Sequence, residues 1–306
     1  MIQKILTFKG FEEVFFKECE YEVPANYTSL TIDYSTVSPG TELFCIRENF
    51  ETQPGYIAVG HTSDGKKYFV FPSLKESSAA HCNVHAFSPE SLLIPLIDGI
   101  KPEEAGFLRF INIGMHPLNN TVPRPVKVAV LGLGPIGNIA AQSAKLTGAE
   151  VIGIDLLPNR RSIAEQCGIR TQEAITGNAA EYDMVIDTVC NCATLKLASE
   201  ILKENGTCAM IGIVKDKPLP DSSIFRKVWD KNLHFQSGWE MKNPMSATRN
   251  NLIRAANLLA MKAYQVEPLI SGIIPANIEN IKSAYRNLIE KPNEHLCYVI
   301  NWSPSP

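Results

Sequence analysis

Val126-Lys127-Val128-Ala129-Val130-Leu131-Gly132-Leu133-Gly134-Pro135-Ile136-Gly137-Asn138 is the stretch that decides the fold. Val128 to Leu131 reads as a short apolar strand, Gly132-x-Gly134-x-x-Gly137 as a glycine turn, and Ile139 to Leu146 as an amphipathic helix. In such a unit the first glycine permits a tight turn and the second lets the backbone approach a pyrophosphate. The third lets the helix pack closely on the strand, and the helix N-terminus offers free N–H groups to the phosphates. A lone triplet of this kind is weak evidence. Here a strand precedes it, a helix follows without a break, and a second strand, Val151-Ile152-Gly153-Ile154, ends in Asp155. Asp155 lies 23 residues after Gly132 (155 − 132), where an acidic residue accepts the ribose hydroxyls of NAD.

Downstream, strands and helices alternate. Pro158 to Cys167 reads as a helix, Asp183 to Asp187 as a buried strand, Ala193 to Lys203 as a helix and Gly206 to Ile213 as a strand. A helix over Ser222 to Lys231 and a strand over Leu233 to Ser237 follow. That alternation predicts a doubly wound, mostly parallel sheet of the Rossmann type, with its ligand edge at the carboxyl ends of the strands. The residues just past those ends are Gly132 to Gly137, Asp155, Thr188 to Cys190 including Val189, and Gly212 to Val214 including Ile213. They are expected to line the cofactor crevice.

Upstream, residues 1 to about 97 are β-rich. Runs at Glu13–Glu20, Ser29–Val37, Tyr56–Gly60, Tyr68–Phe71 and Leu92–Leu96 are separated by turn signals such as Pro39-Gly40 and Asp64-Gly65. This predicts a small barrel or sandwich. The pattern turns helical from Pro102 through His116, and Pro117, Pro123 and Pro125 read as a linker. At the far end, helices are expected at Ser246–Lys262 and Ile278–Ile289, with a last strand at His295–Asn301.

Composition narrows the function classes. A chain of 306 residues has room for two cores. Net charge −3 and a pI near 6.1 give no basic face for nucleic acid or an anionic membrane. No apolar run is long enough to span a bilayer and no signal-peptide core fits the N-terminus, so the chain is expected to be cytoplasmic. Eight scattered cysteines without a Cys-x-x-Cys pair read as reduced thiols.

The order of these segments resembles the medium-chain dehydrogenase/reductase superfamily, the alcohol dehydrogenase-like proteins. The fingerprint is generic, but the tail from Val266-Glu267-Pro268-Leu269 through Ile281 to Leu288, together with Ser38-Pro39-Gly40-Thr41-Glu42, is more specific. The second of these is similar to a zinc-independent branch that includes bacteriochlorophyllide dehydrogenase-like proteins. The resemblance implies a GroES-like catalytic domain over residues 1–118, a Rossmann dinucleotide-binding domain over 119–240, and a segment, 241–306, that folds back to complete the first domain. It also matches the family's catalytic metal ligands to Ser38, to Tyr56 and Ile57 after Gly55, and to Arg109. A hydroxyl, a phenol and a permanent cation do not hold Zn²⁺. Zinc held instead by His61, His81, His85 or Cys82 is the weaker alternative. The structural-zinc cysteines are missing as well, since Gly60 to Ser88 contains only Cys82.

The resemblance would bring Ser38, Tyr56 and Arg109 together beside the nicotinamide. Tyr56 would then relay a proton, and Arg109 would hold an oxyanion or an anionic group of a small-molecule substrate. His81 is the fourth catalytic candidate, because its ring suits acid–base work. The expected activity is hydride transfer between NAD(H) and an alcohol or ketone, without zinc. NADP is disfavoured because Asp155 would repel a 2′-phosphate, although Arg160 and Arg161 follow within one turn and partly offset it. The alternatives are an NADPH-dependent enoyl or quinone reductase and a nucleotide-binding module without chemistry. A homodimer is expected through the strand Leu233–Ser237.

Overall fold

The computed structural model describes residues 2–48, 50–73, 80–121, 123–175, 180–214 and 222–303. The chain divides into two compact units. The first comprises Met1–Arg109, Asn243–Lys262 and Leu269–Pro306, and the second Phe110–Lys242 with Ala263–Pro268. The short return of 263–268 to the second unit has no signal in the sequence reading.

The first unit opens with a hairpin, β1 (Ile2–Lys9) and β2 (Glu13–Glu20), paired antiparallel along its full length. Next come β3 (Thr28–Thr36), helix α1 (Pro39–Glu48), β4 (Ala58–His61), β5 (Lys67–Phe71), β6 (Val84–Phe87) and β7 (Leu92–Pro95). Pro39-Gly40, expected as a turn, instead starts a helix. Proline is pre-set for the first helical position, and the Glu42 side chain accepts the Ser38 N–H at 2.8 Å, which closes the helix start.

The second unit begins within α2 (Phe107–Asn119), which starts later than Pro102 because residues 102–106 form turns. Pro117, expected in a linker, lies inside this helix near its end, where little of the hydrogen-bond ladder is lost. Then follow β8 (Lys127–Leu131), α3 (Pro135–Leu146), β9 (Glu150–Ile154), α4 (Pro158–Gln166) and β10 (Arg170–Gln172). After these come β11 (Tyr182–Asp187), α5 (Cys192–Ile201), β12 (Leu202–Met210), α6 (Ser222–Asp230) and β13 (His234–Ser237). The six strands lie in the order β10-β9-β8-β11-β12-β13, and every neighbouring pair is parallel. β12 begins four residues before the expected Gly206 because it carries an irregularity, with a register shift against β11 and Asn205 at φ 60°. Both faces of the sheet are covered by apolar clusters, one with Val128, Val130 and Ala140, the other with Ala129, Val185 and Leu195. Alternate residues of β8 thus serve opposite faces, as a strand buried on both sides requires.

The chain then contributes α7 (Met245–Ala260) to the first unit, followed by β14 (Gly272–Pro275), α8 (Ile278–Glu290) and β15 (Tyr298–Asn301). β15 pairs antiparallel with β3 and parallel with β14, so the tail completes a seven-stranded sheet, β14-β15-β3-β4-β5-β7, with β6 on β3. Ile281, Ala284, Tyr285 and Leu288 recur at helical spacing on α8 and bury against Leu6, Phe8, Val37 and Ile46. The fold class read from the sequence is the one observed: a Rossmann parallel sheet and a β-rich GroES-like unit closed by the C-terminal segment.

Candidate functional site

The glycine loop is built from close approaches that side chains would block. Gly132 sits at φ 86°, and a Cβ there would lie 2.5 Å from Thr188 Oγ1 and 2.7 Å from Val189 Cγ2. A Cβ on Gly137 would lie 1.9 Å from the Gly132 carbonyl oxygen, so the third glycine is needed to close the loop itself. Gly134, by contrast, faces open space and is the N-cap of α3 without a side-chain cap, with Pro135 opening the helix. The first-turn N–H groups around Ile136 are therefore presented for an anion.

Asp155 ties this loop to the end of β9. Its Oδ2 accepts the Leu133 N–H at 2.7 Å, and its Oδ1 accepts the Leu157 N–H at 2.9 Å. Arg160 Nη1 lies 3.7 Å from Oδ2. Arg161 is directed elsewhere: it donates to the Asp155 and Leu156 carbonyls and lies 3.5 Å from Glu173. Of the two arginines, Arg160 is therefore the one beside the expected ribose acceptor.

The loop after β11 forms the other wall. Thr188 Oγ1 donates to the carbonyls of Leu131 and Gly132, and a Cβ on Gly212 would lie 2.3 Å from the Thr188 carbonyl oxygen. Asp187 Oδ1 accepts the N–H groups of Val189 and Cys190, each at 2.9 Å. Burial pushes the Asp187 carboxyl up from its ordinary value, opposed by the Cys190 N–H. Val189 is 37% exposed, and Ile213 follows Gly212 past the end of β12. The residues expected at the crevice thus share the carboxyl ends of β8, β9, β11 and β12.

In the first unit, three of the four candidate catalytic residues meet. Ser38, just before α1, has its Oγ 2.8 Å from the Tyr56 hydroxyl. Arg109 is 5% exposed, and its guanidinium carbon lies 5.2 Å from the Tyr56 ring centroid and 4.1 Å from that of Phe71. The cation rests against two ring faces beside a pair of hydroxyls. His81 is placed differently. It is fully buried, with Nδ1 2.7 Å from Ser35 Oγ and Nε2 3.0 Å from Glu42 Oε2, so both ring nitrogens are engaged inside the unit. A group enclosed in this way has no open nitrogen with which to meet a substrate.

The donor chemistry does not fit a zinc ion. Hydroxyl, phenol and guanidinium are not the thiolates, imidazoles and carboxylates that zinc takes. Among the described residues no group of three or more His, Cys, Asp or Glu is arranged to hold a metal. The alternative ligands have other engagements: His61 pairs with Asp33, His85 packs on Phe87, and burial pushes the Cys82 thiol up to about 12. Glu42 is an acid close to this cluster, bonded to the Ser38 N–H. Its oxygens also take His81 and the Tyr285 hydroxyl. Ser35 and Trp302, which complete that network, carry no motif that marks them in the sequence, while Tyr285 lies in the tail that ends at Leu288.

Residues 135–257 match the zinc-binding dehydrogenase family. Sorbitol dehydrogenase of Bacillus subtilis is 30% identical over 141 residues, which span 42% of this chain and 39% of that protein. The solved structure of L-idonate 5-dehydrogenase from Escherichia coli superposes with a TM-score of 0.82 over 98% of both chains, at 12% identity. Residues 135–257 thus resemble zinc-binding dehydrogenases in sequence, and the chain shares the fold of solved dehydrogenases. Acetophenone reductase of Geotrichum candidum, solved in complex with NAD, shares the superfamily fold at a TM-score of 0.82 and 17% identity. Alignments to the first three curated superfamily members span 39%, 57% and 30% of their lengths, less than two thirds in each case. The family match begins after Arg109 and so contains none of Ser38, Tyr56 and Arg109. No helix among the described residues is long and apolar enough to cross a membrane.

Proposed function

We propose that this chain is an NAD(H)-linked oxidoreductase that interconverts an alcohol and a ketone without zinc, in keeping with the zinc-independent branch that Ser38 to Glu42 resembles. The observation that carries this reading is the Ser38–Tyr56–Arg109 cluster, which puts a hydrogen-bonded hydroxyl pair and a fixed cation at the positions matched to metal ligands. Gly132, Gly134, Pro135, Ile136 and Gly137 would cradle the pyrophosphate. Asp155 would take the ribose hydroxyls, with Val189, Gly212 and Ile213 along the wall. A bound nicotinamide supplies the hydride acceptor or donor.

The chain's own residues handle the proton and the oxygen charge. Tyr56 relays the proton of the substrate alcohol: its hydroxyl gains that proton as it passes its own to Ser38 Oγ, 2.8 Å away, and Ser38 passes one on toward solvent. The Arg109 guanidinium, pinned against the Tyr56 and Phe71 rings, stabilises the negative oxygen that develops. Substrates of the polyol or sugar-acid class fit best. Relatives are named for sorbitol and for galactonate, and a carboxylate would suit a buried arginine. Eight free cysteines accord with a reducing, cytoplasmic setting.

Fluorescence titration tests the cofactor half: NADH is expected to bind at least about tenfold more tightly than NADPH, the scale of one unpaired charge contact. Equal or reversed affinity would favour the second reading, an NADPH-linked reductase, through Arg160 beside Asp155. A panel of polyols and aldonates with NAD⁺ tests the other half. Tight NADH binding with no turnover on any of them would favour a nucleotide-binding module.

A further inference from the structure

A buried carboxylate holds the residue on which the hydroxyl pair depends. Glu42 is 1% exposed, and its Oε1 accepts the Ser38 N–H at 2.8 Å. Its Oε2 accepts from the Tyr285 hydroxyl and lies 3.0 Å from His81 Nε2. On the far side of the imidazole, Ser35 Oγ lies 2.7 Å from Nδ1 and accepts the Trp302 indole N–H at 2.8 Å. An indole N–H only donates, and an ionised carboxylate only accepts. One direction of donation satisfies every member with His81 neutral. Trp302 donates to Ser35, Ser35 to His81 Nδ1, and His81 Nε2–H to Glu42, with Tyr285 and Ser38 donating to the same carboxylate. Burial, and then the Glu42 charge, push the Tyr285 phenol well above its ordinary range, which keeps it a donor. Three donors converging on one carboxylate are what make a buried charge tolerable.

The network reaches the hydroxyl pair at two points. One is the Ser38 N–H. The other is Gly55, the residue before Tyr56, which sits at φ 96° with the His81 ring where a side chain would begin, 2.7 Å from a Cβ built there. The neighbouring Ala80 N–H donates to the Gly55 carbonyl at 3.0 Å. We propose that Glu42 and His81 are positioning residues that fix the Ser38 Oγ–Tyr56 hydroxyl contact from behind. They take no proton from the substrate, because the link at Ser38 runs through an amide N–H. This assignment rests on reading the Ser38–Tyr56 pair as the group that meets the substrate.

The test reads the contact directly, by NMR of protein labelled at tyrosine Cζ. The Tyr56 signal is assigned by its loss in Tyr56→Phe, and Ser38→Ala sets the shift that follows loss of the contact. Glu42→Gln and His81→Leu are expected to move the Tyr56 signal in that same direction. Tyr285→Phe, which keeps the carboxylate and two of its donors, moves it less. In NAD-linked oxidation of D-sorbitol, Glu42→Gln is expected to lower kcat by about 10- to 100-fold, the scale of a small misplacement. KM and the Kd for NADH then stay within about twofold, since neither binding surface is touched. A Tyr56 signal unmoved in folded Glu42→Gln and in Tyr285→Phe overturns the assignment. If Glu42→Gln does not fold, an unmoved signal in Tyr285→Phe overturns it alone. A wild-type protein inert toward sorbitol that still shows these shifts removes the activity reading and leaves the positioning role standing.

Discussion

By the resemblance read from the sequence, Arg109 takes the place of a third metal ligand, and it puts a guanidinium there. Its guanidinium lies over the Tyr56 and Phe71 rings, where a planar cation can stack and a lysine ammonium would act only as a point charge. Arg109→Leu is expected to lower kcat/KM by about 10²-fold, the effect of losing one charge-assisted donor in a desolvated site. NADH affinity should hold, because the dinucleotide would be held by the glycine loop and Asp155. Arg109→Lys should recover little of the loss. A Leu variant with unchanged kcat/KM would remove Arg109 from the chemistry. The residue types at Ser38, Tyr56 and Arg109 could be read from the sequence, because each is chemically wrong for zinc. The enclosure of His81 could not: its partner Ser35 lies 46 residues away, and Trp302 is a further contact 267 residues from Ser35.

Among the elements, the strand–loop–helix around Gly132 is legible because Gly132 and Gly137 each have a steric reason, while Gly134 leaves the helix N-terminus open. Gly137→Ala would put a methyl group against the Gly132 carbonyl, and NADH titration is expected to show binding lost by at least about 10²-fold. The opposite wall has its own signature in pH. Burial raises the Asp187 carboxyl in the folded chain, so this group favours folding only below its unfolded value, near pH ~3.9, and opposes folding once pH exceeds the folded value. Asp187→Asn keeps an acceptor for the Val189 and Cys190 N–H groups and removes the charge. Its melting temperature is expected to exceed that of wild type at pH 7, with the gain shrinking toward pH 3. A constant difference across that range would show that ionisation of Asp187 is not the cause. α1 escaped the sequence reading for a related reason. Proline followed by glycine signals a turn until the Glu42 carboxylate, one turn on, is seen to close on the Ser38 N–H. Strands β1 and β14 were missed because their pairing is decided by β2 and β15 rather than by their own short patterns.

For the molecule as a whole, β13 ends the six-stranded sheet with an edge that no strand among the described residues pairs, and two-fold pairing would cover it. Light scattering is expected to report a homodimer, twice the 33.8 kDa of one chain. A monomer at micromolar concentration would count against that pairing. The proposed activity needs NADH and no zinc. Elemental analysis of the purified protein, before and after exhaustive chelation and alongside NADH titration and thermal melting, tests it most directly. Zinc is expected far below one per chain, with Kd and Tm unchanged by the chelator. One zinc per chain, whose removal lowers Tm or abolishes NADH-linked turnover and whose return restores it, would contradict the reading of Ser38, Tyr56 and Arg109.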